Sequence, residues 1–241
     1  ISRILLNPSN PDEIVVGVVG HLYSKNEERG VYKTTDGGKT WKKSLFIDSE
    51  TGIIDVAVSP KNFNTQYAAS WSKDRKAWDF KGSGATSGIY KSEDAGMTWK
   101  LYSTTESGFP VGEGVGRIGL AVYDDATVYA VLDNQFKRPL PSQKSNSLPM
   151  AFSVPGDEFL KLPNKTLNSI LKNYGLTEKY RAENIKHWIQ NGYLQPNEAA
   201  KVVLEAINSL AEKEVIGAEV YKSSNGGKNW TKTHPGFIDD F

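Results

Sequence analysis

Short runs of alternating apolar and polar residues fill the first half of the chain. Arg3-Ile4-Leu5-Leu6-Asn7-Pro8 and Ile14-Val15-Val16-Gly17-Val18-Val19 flank a Pro/Asn-rich turn. The same strand–turn–strand reading applies to Ile53–Pro60 with Gln66–Trp71, and to Arg117–Tyr123 with Thr127–Leu132. The period then changes. Between 137 and 216, apolar residues recur every three or four positions. This predicts a helical turn at Asp157-Glu158-Phe159-Leu160 and helices over Lys165–Asn173 and Ala182–Gln190. A longer helix is predicted from Pro196 to about Glu212, with a stripe of Ala200, Val203, Leu204, Ile207 and Leu210. Gly175 and Gly192 read as helix C-caps, and Lys137–Pro149, rich in Pro, Ser, Lys and Asn, as an irregular crossing.

An eleven-residue pattern occurs three times, as Val31–Trp41, Ile89–Trp99 and Val220–Trp230. Its form is apolar-Tyr-Lys-[Ser/Thr]-x-[Asp/Asn]-x-Gly-x-[Thr/Asn]-Trp. The pattern specifies a hairpin. The Asp or Asn side chain folds onto nearby backbone N–H groups, Gly takes the left-handed turn position, and Trp restarts the strand and buries a large ring. Thr34, Asp36, Gly38 and Trp41, then Ser92, Asp94, Gly96 and Trp99, then Ser223, Asn225, Gly227 and Trp230 are the structural residues of the three copies. Each copy falls between the last two of four predicted strands. The distance from Asp94 to Asn225 is more than twice that from Asp36 to Asp94, which places an insertion inside the third repeat.

The pattern resembles the Asp-box, or bacterial neuraminidase repeat, of β-propellers that include sialidases, xyloglucanases, sortilin-type receptors and photosystem assembly factors. Glu28–Lys33, Ser87–Lys91 and Gly116–Val122 are most similar to exported bacterial proteins grouped with the sortilin-type propellers and often labelled glycosyl hydrolase. The resemblance implies a mainly β chain: an Asp-box β-propeller fragment of three four-stranded blades with an α-helical insertion in the third. Blade 1 is residues 1–48, blade 2 is 49–107, blade 3 is 108–136 with 217–236, the insertion is 137–216, and 237–241 begins a connection to a further blade. Propellers close with about four to eight blades, so the remaining blades of a parent chain are expected partners. The abrupt ends, Ile1-Ser2 and Asp240-Phe241, fit a piece of a longer protein. The resemblance also implies an extracytoplasmic location. The third copy departs from the pattern at Asn225 and Asn229, which suggests weaker capping there.

Composition narrows the function classes. Lys and Arg total 29 against 28 Asp and Glu, with no like-charge run, so no nucleic-acid surface is indicated. Cysteine is absent, which removes disulfides, thiolate metal sites and a Cys nucleophile. No apolar run approaches the roughly 20 residues of a membrane span. His21, His187 and His234 lack ligand spacing, so no metal or cofactor is expected.

Candidate chemistry is sparse. The loop His21–Arg29 of blade 1, with His21 and Tyr23, and the equivalent Trp71–Lys81 of blade 2, with Trp71, Arg75 and Trp78, interleave aromatics and charges. Such loops suit sugar stacking or cation–π contacts, and equally packing against neighbouring blades. Asp55 stands inside an apolar first strand and aligns with Arg3; the two are either channel-facing site residues or an inter-blade ion pair. Asp55 is also the one candidate for a glycosidase carboxylate. Glu27/Glu28, Asp124/Asp125 and Asp239/Asp240 read as solvated turn pairs rather than the opposed acids that glycoside hydrolysis needs. No arginine triad marks a sialidase site. The expectation is a non-catalytic recognition propeller for a protein, peptide or glycan. The alternatives are a sialidase- or xyloglucanase-like hydrolase, or a structural part of a surface or secretion assembly docked through its insertion.

Overall fold

The computed structural model describes residues 1–138, 156–173, 176, 178–195, 198–213, 215–236 and 238. The chain forms two compact units, Ile1–Phe136 with Ile216–Phe241, and Lys137–Val215. The first is built of antiparallel β-sheets and the second of helices.

The β unit contains three four-stranded sheets. The first runs in chain order through β1 (Arg3–Asn7), β2 (Asn10–Val18), β3 (Gly30–Thr34) and β4 (Lys42–Leu45). The second uses β5 (Thr51–Ser59) and β6 (Asn62–Ser72). The chain then leaves the sheet for a small hairpin, β7 (Asp74–Arg75) with β8 (Phe80–Lys81), and returns as β9 (Gly88–Ser92) and β10 (Lys100–Leu101). The third uses β11 (Val115–Val122), β12 (Val128–Lys137), β13 (Val215–Ser223) and β14 (Thr231–Lys232), with the helical unit between β12 and β13. Among the described residues every four-stranded sheet thus keeps sequential order, and the fourth strand of the second and third sheets is only two residues long.

Inner strands are the most apolar, as sheets covered on both faces require. In β6, Tyr67, Ala68, Ala69 and Ser70 are fully buried on both sides of the strand. Sheets one and two share a core of Val15, Val31, Ile53, Val56 and Ala68. A larger core joins Tyr67, Ala69 and Ile89 of the second sheet to Ile118, Leu132 and Tyr221 of the third, sealed by Phe109. Phe109 lies 4.9 Å from the Tyr221 ring and 5.5 Å from Trp230. The outward side of β12 is different: Tyr129, Val131 and Asp133 alternate with buried neighbours and stay exposed.

The helical unit comprises α1 (Gly156–Lys161), α2 (Asn164–Asn173), α3 (Ala182–Gln190) and α4 (Ala199–Lys213). Its core is Phe159, Leu167, Leu171, Ala182, Ile185, Ile189, Ala199 and Val203. The α4 stripe is rotated from the expected one. Ala199, Val203 and Ala206 are buried, Ala200 only packs at the edge, and Leu204 is exposed. Of the expected stripe, Val203 is the one member fully buried among the described side chains, and Ala199 and Ala206 take the remaining buried places. Ile207 and Leu210 lie outside the described side chains. Gly175, Pro196, the crossing from 139 to 149 and Asp239/Asp240 lie outside the described residues.

Candidate functional site

The three repeated turns share one bond pattern. In the first, the Thr34 hydroxyl donates to Asp36 Oδ1 at 2.7 Å and accepts from the Gly38 N–H at 3.0 Å. The Asp36 carboxylate accepts the Thr40 N–H at 2.9 Å and the Thr40 hydroxyl at 2.6 Å. Ser92, Asp94, Gly96 and Thr98 repeat these bonds. In the third turn Ser223, Asn225 and Gly227 do the same, but Asn225 Nδ2 donates to Asn229 Oδ1 at 2.9 Å. The side-chain bond survives with donor and acceptor exchanged, so the double departure is a matched swap and no closure is lost. Each turn is also tied to the first hairpin of its own sheet. Gly37, Ala95 and Gly226 donate their N–H groups to the carbonyls of Asp12, Asn64 and Ala126 at 3.0, 3.1 and 2.8 Å.

The three tryptophans are not equally buried. Trp230 is 4% exposed and Trp99 half-buried, whereas Trp41 is 44% exposed. Burial of the ring, expected of all three, is complete at Trp230, partial at Trp99 and fails at Trp41. Trp99 Nε1 reaches Ser44 Oγ of the first sheet at 3.1 Å, and among the described residues Trp41 has no sheet on that side to meet.

Asp55 is fully engaged. Its Oδ1 accepts from Arg3 Nε at 3.0 Å and from the Val56 N–H at 3.0 Å; its Oδ2 accepts the Leu120 N–H at 2.9 Å. One side chain therefore ties β1, β5 and β11, the first strands of all three sheets. Of the two sequence readings for Arg3 and Asp55, the geometry is that of an ion pair between sheets.

A second buried carboxylate escaped sequence inspection. Glu219 accepts Asn134 Nδ2 at 2.7 Å, the Tyr221 hydroxyl at 2.8 Å and Lys232 Nζ at 2.7 Å. Burial opposes its ionisation, but these three donors, Lys232 foremost, hold its carboxyl below the usual range. The same burial, with Glu219 as its acceptor, pushes the Tyr221 hydroxyl far up. A tyrosine beside a carboxylate has the composition of a nucleophile pair, but this one is a neutral phenol in the core. The signal available in the sequence was Glu219 standing where the other two repeats have Gly30 and Gly88.

The loops between second and third strands carry three exposed aromatic residues, Tyr23, Trp78 and Phe80. After β2, the backbone from Val19 to Ser24 wraps the buried Arg29, whose guanidinium donates to the carbonyls of Val19, His21 and Ser24. From the second sheet, the buried Lys73 ammonium donates to the carbonyls of His21 and Leu22, both at 3.3 Å. Burial lowers the pKa of both cations, and at Lys73 the nearby Arg29 and Arg75 lower it further. Two cations thus organise the loop through carbonyl dipoles. This leaves Leu22 and Tyr23 exposed, with His21 exposed in contact with Ser24 Oγ and Glu28.

The β7–β8 hairpin forms the neighbouring loop. Trp71 is its brace rather than an open platform. Its indole N–H donates to Gly82 O at 2.7 Å, and its ring meets Phe80 edge-on at 6.1 Å. Arg75 covers the other partner, with its guanidinium 5.4 Å from the Phe80 ring centroid. Lys81 pairs with Glu113 from the third sheet's entry loop at 2.9 Å. At the hairpin tip, between Lys76 and Asp79, Trp78 stands 85% exposed. The structure brings His21, Tyr23, Trp71, Arg75 and Trp78 onto adjoining loops and leaves Arg3 apart with Asp55. Among the described residues no group of His, Asp and Glu has a metal-binding arrangement, and no helix is long and apolar enough to cross a membrane.

No protein-family model and no curated protein matches the chain. Solved structures that resemble it include an ancestral GH74 enzyme, 19% identical over 55% of this chain and 16% of the enzyme, with a TM-score of 0.38. The GH74 xyloglucanase from Xanthomonas campestris is 15% identical over 97% of this chain and 30% of its own, also with a TM-score of 0.38. The chain thus spans less than a third of the length of either protein.

Proposed function

We propose that the chain is part of an exported Asp-box β-propeller that recognises a glycan or a protein without catalysis, using the loops between second and third strands. The observation that carries the reading is Trp78. A large indole stands 85% exposed at the tip of a braced hairpin and packs against none of the described residues. A flat apolar ring presented to solvent suits stacking on a sugar face or insertion into a partner. Tyr23 and Leu22 stand exposed on the adjoining loop, and Arg75 and Lys76 belong to the same hairpin as Trp78. The sheets are the blades in this reading, and the three turns brace their rims.

The non-catalytic part of the proposal rests on the carboxylates. Asp55 has every oxygen engaged, and Glu219 is enclosed by Asn134, Tyr221 and Lys232. Neither is half of an opposed pair with room for a scissile bond. The test is a glycan array and a polysaccharide-hydrolysis screen with the chain, Trp78→Ala and Asp55→Asn in parallel. Binding lost in Trp78→Ala, with no hydrolysis by any form, is expected. Hydrolysis by the unaltered chain overturns the reading in favour of a glycoside hydrolase, and hydrolysis retained by a folded Asp55→Asn then excludes Asp55 as its carboxylate.

A further inference from the structure

One fastening is used twice on the loops between second and third strands. In the first sheet's loop, the Asn26 N–H donates to Ser49 O at 3.1 Å and Lys25 pairs with Glu50. In the second sheet's loop, the Gly84 N–H donates to Val115 O at 3.1 Å and Lys81 pairs with Glu113 at 2.9 Å. Each loop is thus tied to the segment that enters the next sheet. Lys73 ties back in the other direction, from the second sheet to the carbonyls of His21 and Leu22. The hairpin that carries Trp78 is also closed from inside. The Phe80 ring covers Gly82, where a Cβ would lie 2.8 Å from the ring, and the Trp71 indole bonds the Gly82 carbonyl.

These contacts occupy most of the cations. Lys25 and Lys81 pair with carboxylates of the next sheet's entry, and Lys76 pairs with Asp74 at 3.0 Å within the hairpin. Arg29 and Lys73 are buried on backbone carbonyls. Arg75 remains, with its guanidinium on the Phe80 ring. Set against Arg75 are the exposed Glu27 and, next in sequence to Trp78, the exposed Asp79, whose Oδ1 accepts the Phe80 N–H at 2.9 Å. Over residues 20–29, 48–50, 73–81 and 113, six Lys and Arg face seven Asp and Glu. The loops therefore present aromatic rings and paired charges, with no basic excess.

That balance discriminates between sugars. An uncharged glycan offers hydroxyls, each both donor and acceptor. A carboxylate–ammonium pair serves such a group from both sides, and the C–H face of the sugar lies on an exposed ring. A uronate, sialate or sulfate instead offers an anion that only accepts. A chain of these anions needs a surplus of cations, and here it meets more carboxylates than cations. We propose that the loops around Trp78 select uncharged glycan chains and reject acidic ones. The inference rests on the recognition reading above and narrows its ligand to a neutral polysaccharide.

The test is a polysaccharide array that sets each neutral polymer beside an acidic one of the same backbone. The pairs are hydroxyethylcellulose with carboxymethylcellulose, dextran with dextran sulfate, and arabinoxylan with glucuronoxylan. The full chain is compared with Trp78→Ala and with the double variant Glu27→Gln/Asp79→Asn, in low and high salt. Asparagine at 79 keeps an oxygen for the Phe80 N–H, and circular dichroism checks that each variant folds. The chain is expected to bind a neutral polymer with no dependence on salt, and its acidic counterpart at least about tenfold more weakly. Trp78→Ala is expected to lose that binding. The double variant, now with a basic excess, is expected to narrow the gap between the neutral and acidic members. Acidic polymers bound as tightly as neutral ones, and lost in Trp78→Ala, overturn the inference and leave the recognition reading standing. A gap unchanged in the double variant likewise overturns it alone. Binding that survives Trp78→Ala, or no polymer bound at all, overturns glycan recognition through Trp78 and this inference with it.

Discussion

Asp36, Asp94 and Asn225 hold one position in the three turns, and only the first two titrate. The Thr40 hydroxyl, with the Thr40 amide and the Thr34 hydroxyl, holds the Asp36 carboxyl well below the usual range. Burial works against this at Asp94, but Thr98 and Ser92 still hold it low. A carboxyl depressed by folding adds stability above its unfolded pKa of about 4 and loses it as pH falls through the folded value. Amide exchange at Gly38 and Gly96 should therefore speed up as pH falls below about 4, after correction for intrinsic rates, while Gly227 stays protected by its amide-locked turn. At Asp55 the expectation is structural. Asp55→Ala leaves the Leu120 N–H without its acceptor and should cost about 1–3 kcal/mol in urea unfolding. The turn bonds were legible in the sequence because they span at most four residues. The Arg3–Asp55 pair was one of two readings of the sequence; the exposure of Trp41 and the Leu120 N–H bond to Asp55 were not legible, because they depend on which sheet stands alongside.

Whole elements show the same division between local and distant causes. The four-strand repeat follows from alternation and turn residues alone. The β7–β8 hairpin does not, since two-residue strands in a run of charges and aromatics carry no period. The Gly38/Gly96 pair separates turn strain from sheet contact. Both glycines have positive φ, so alanine at either incurs about 1–2 kcal/mol. Gly96→Ala also drives a methyl against Val15 and Gln66, adding about 1–3 kcal/mol of overpacking. Gly96→Ala should lower the urea midpoint more than Gly38→Ala. Trp78→Ala should leave the unfolding free energy within about 0.5 kcal/mol of the parent chain, since the ring is solvated.

At the scale of the molecule, β12 and β13 are neighbours in one sheet although the helical unit lies between them in sequence. Lengthening a connection costs little, because closure entropy grows only with the logarithm of length. Replacing the helical unit by a short Asn-Gly turn should therefore preserve the β unit, checked by near-ultraviolet circular dichroism of its buried tryptophan and tyrosines. Arg138, whose Nε donates to Val215 O at 2.9 Å, marks where the two strands hand over to the insertion. The spacing of the repeats pointed to added residues within the third repeat, where the helices lie between β12 and β13. The Glu219 network was not legible: Asn134 and Glu219 are brought together only by the pairing of β12 with β13.

The third turn also bears on chemical ageing. Asn225-Gly226 is the dipeptide most prone to lose ammonia through a cyclic imide, a reaction in which the following backbone nitrogen attacks the side-chain amide. Here that nitrogen donates its hydrogen to Ala126 O at 2.8 Å, and the amide is held by Asn229 and by its own turn. The folded chain should keep Asn225 through prolonged storage while the urea-unfolded chain accumulates isoaspartate, as peptide mapping would record. Folding thus sets the shelf life of a bond that sequence alone marks as perishable.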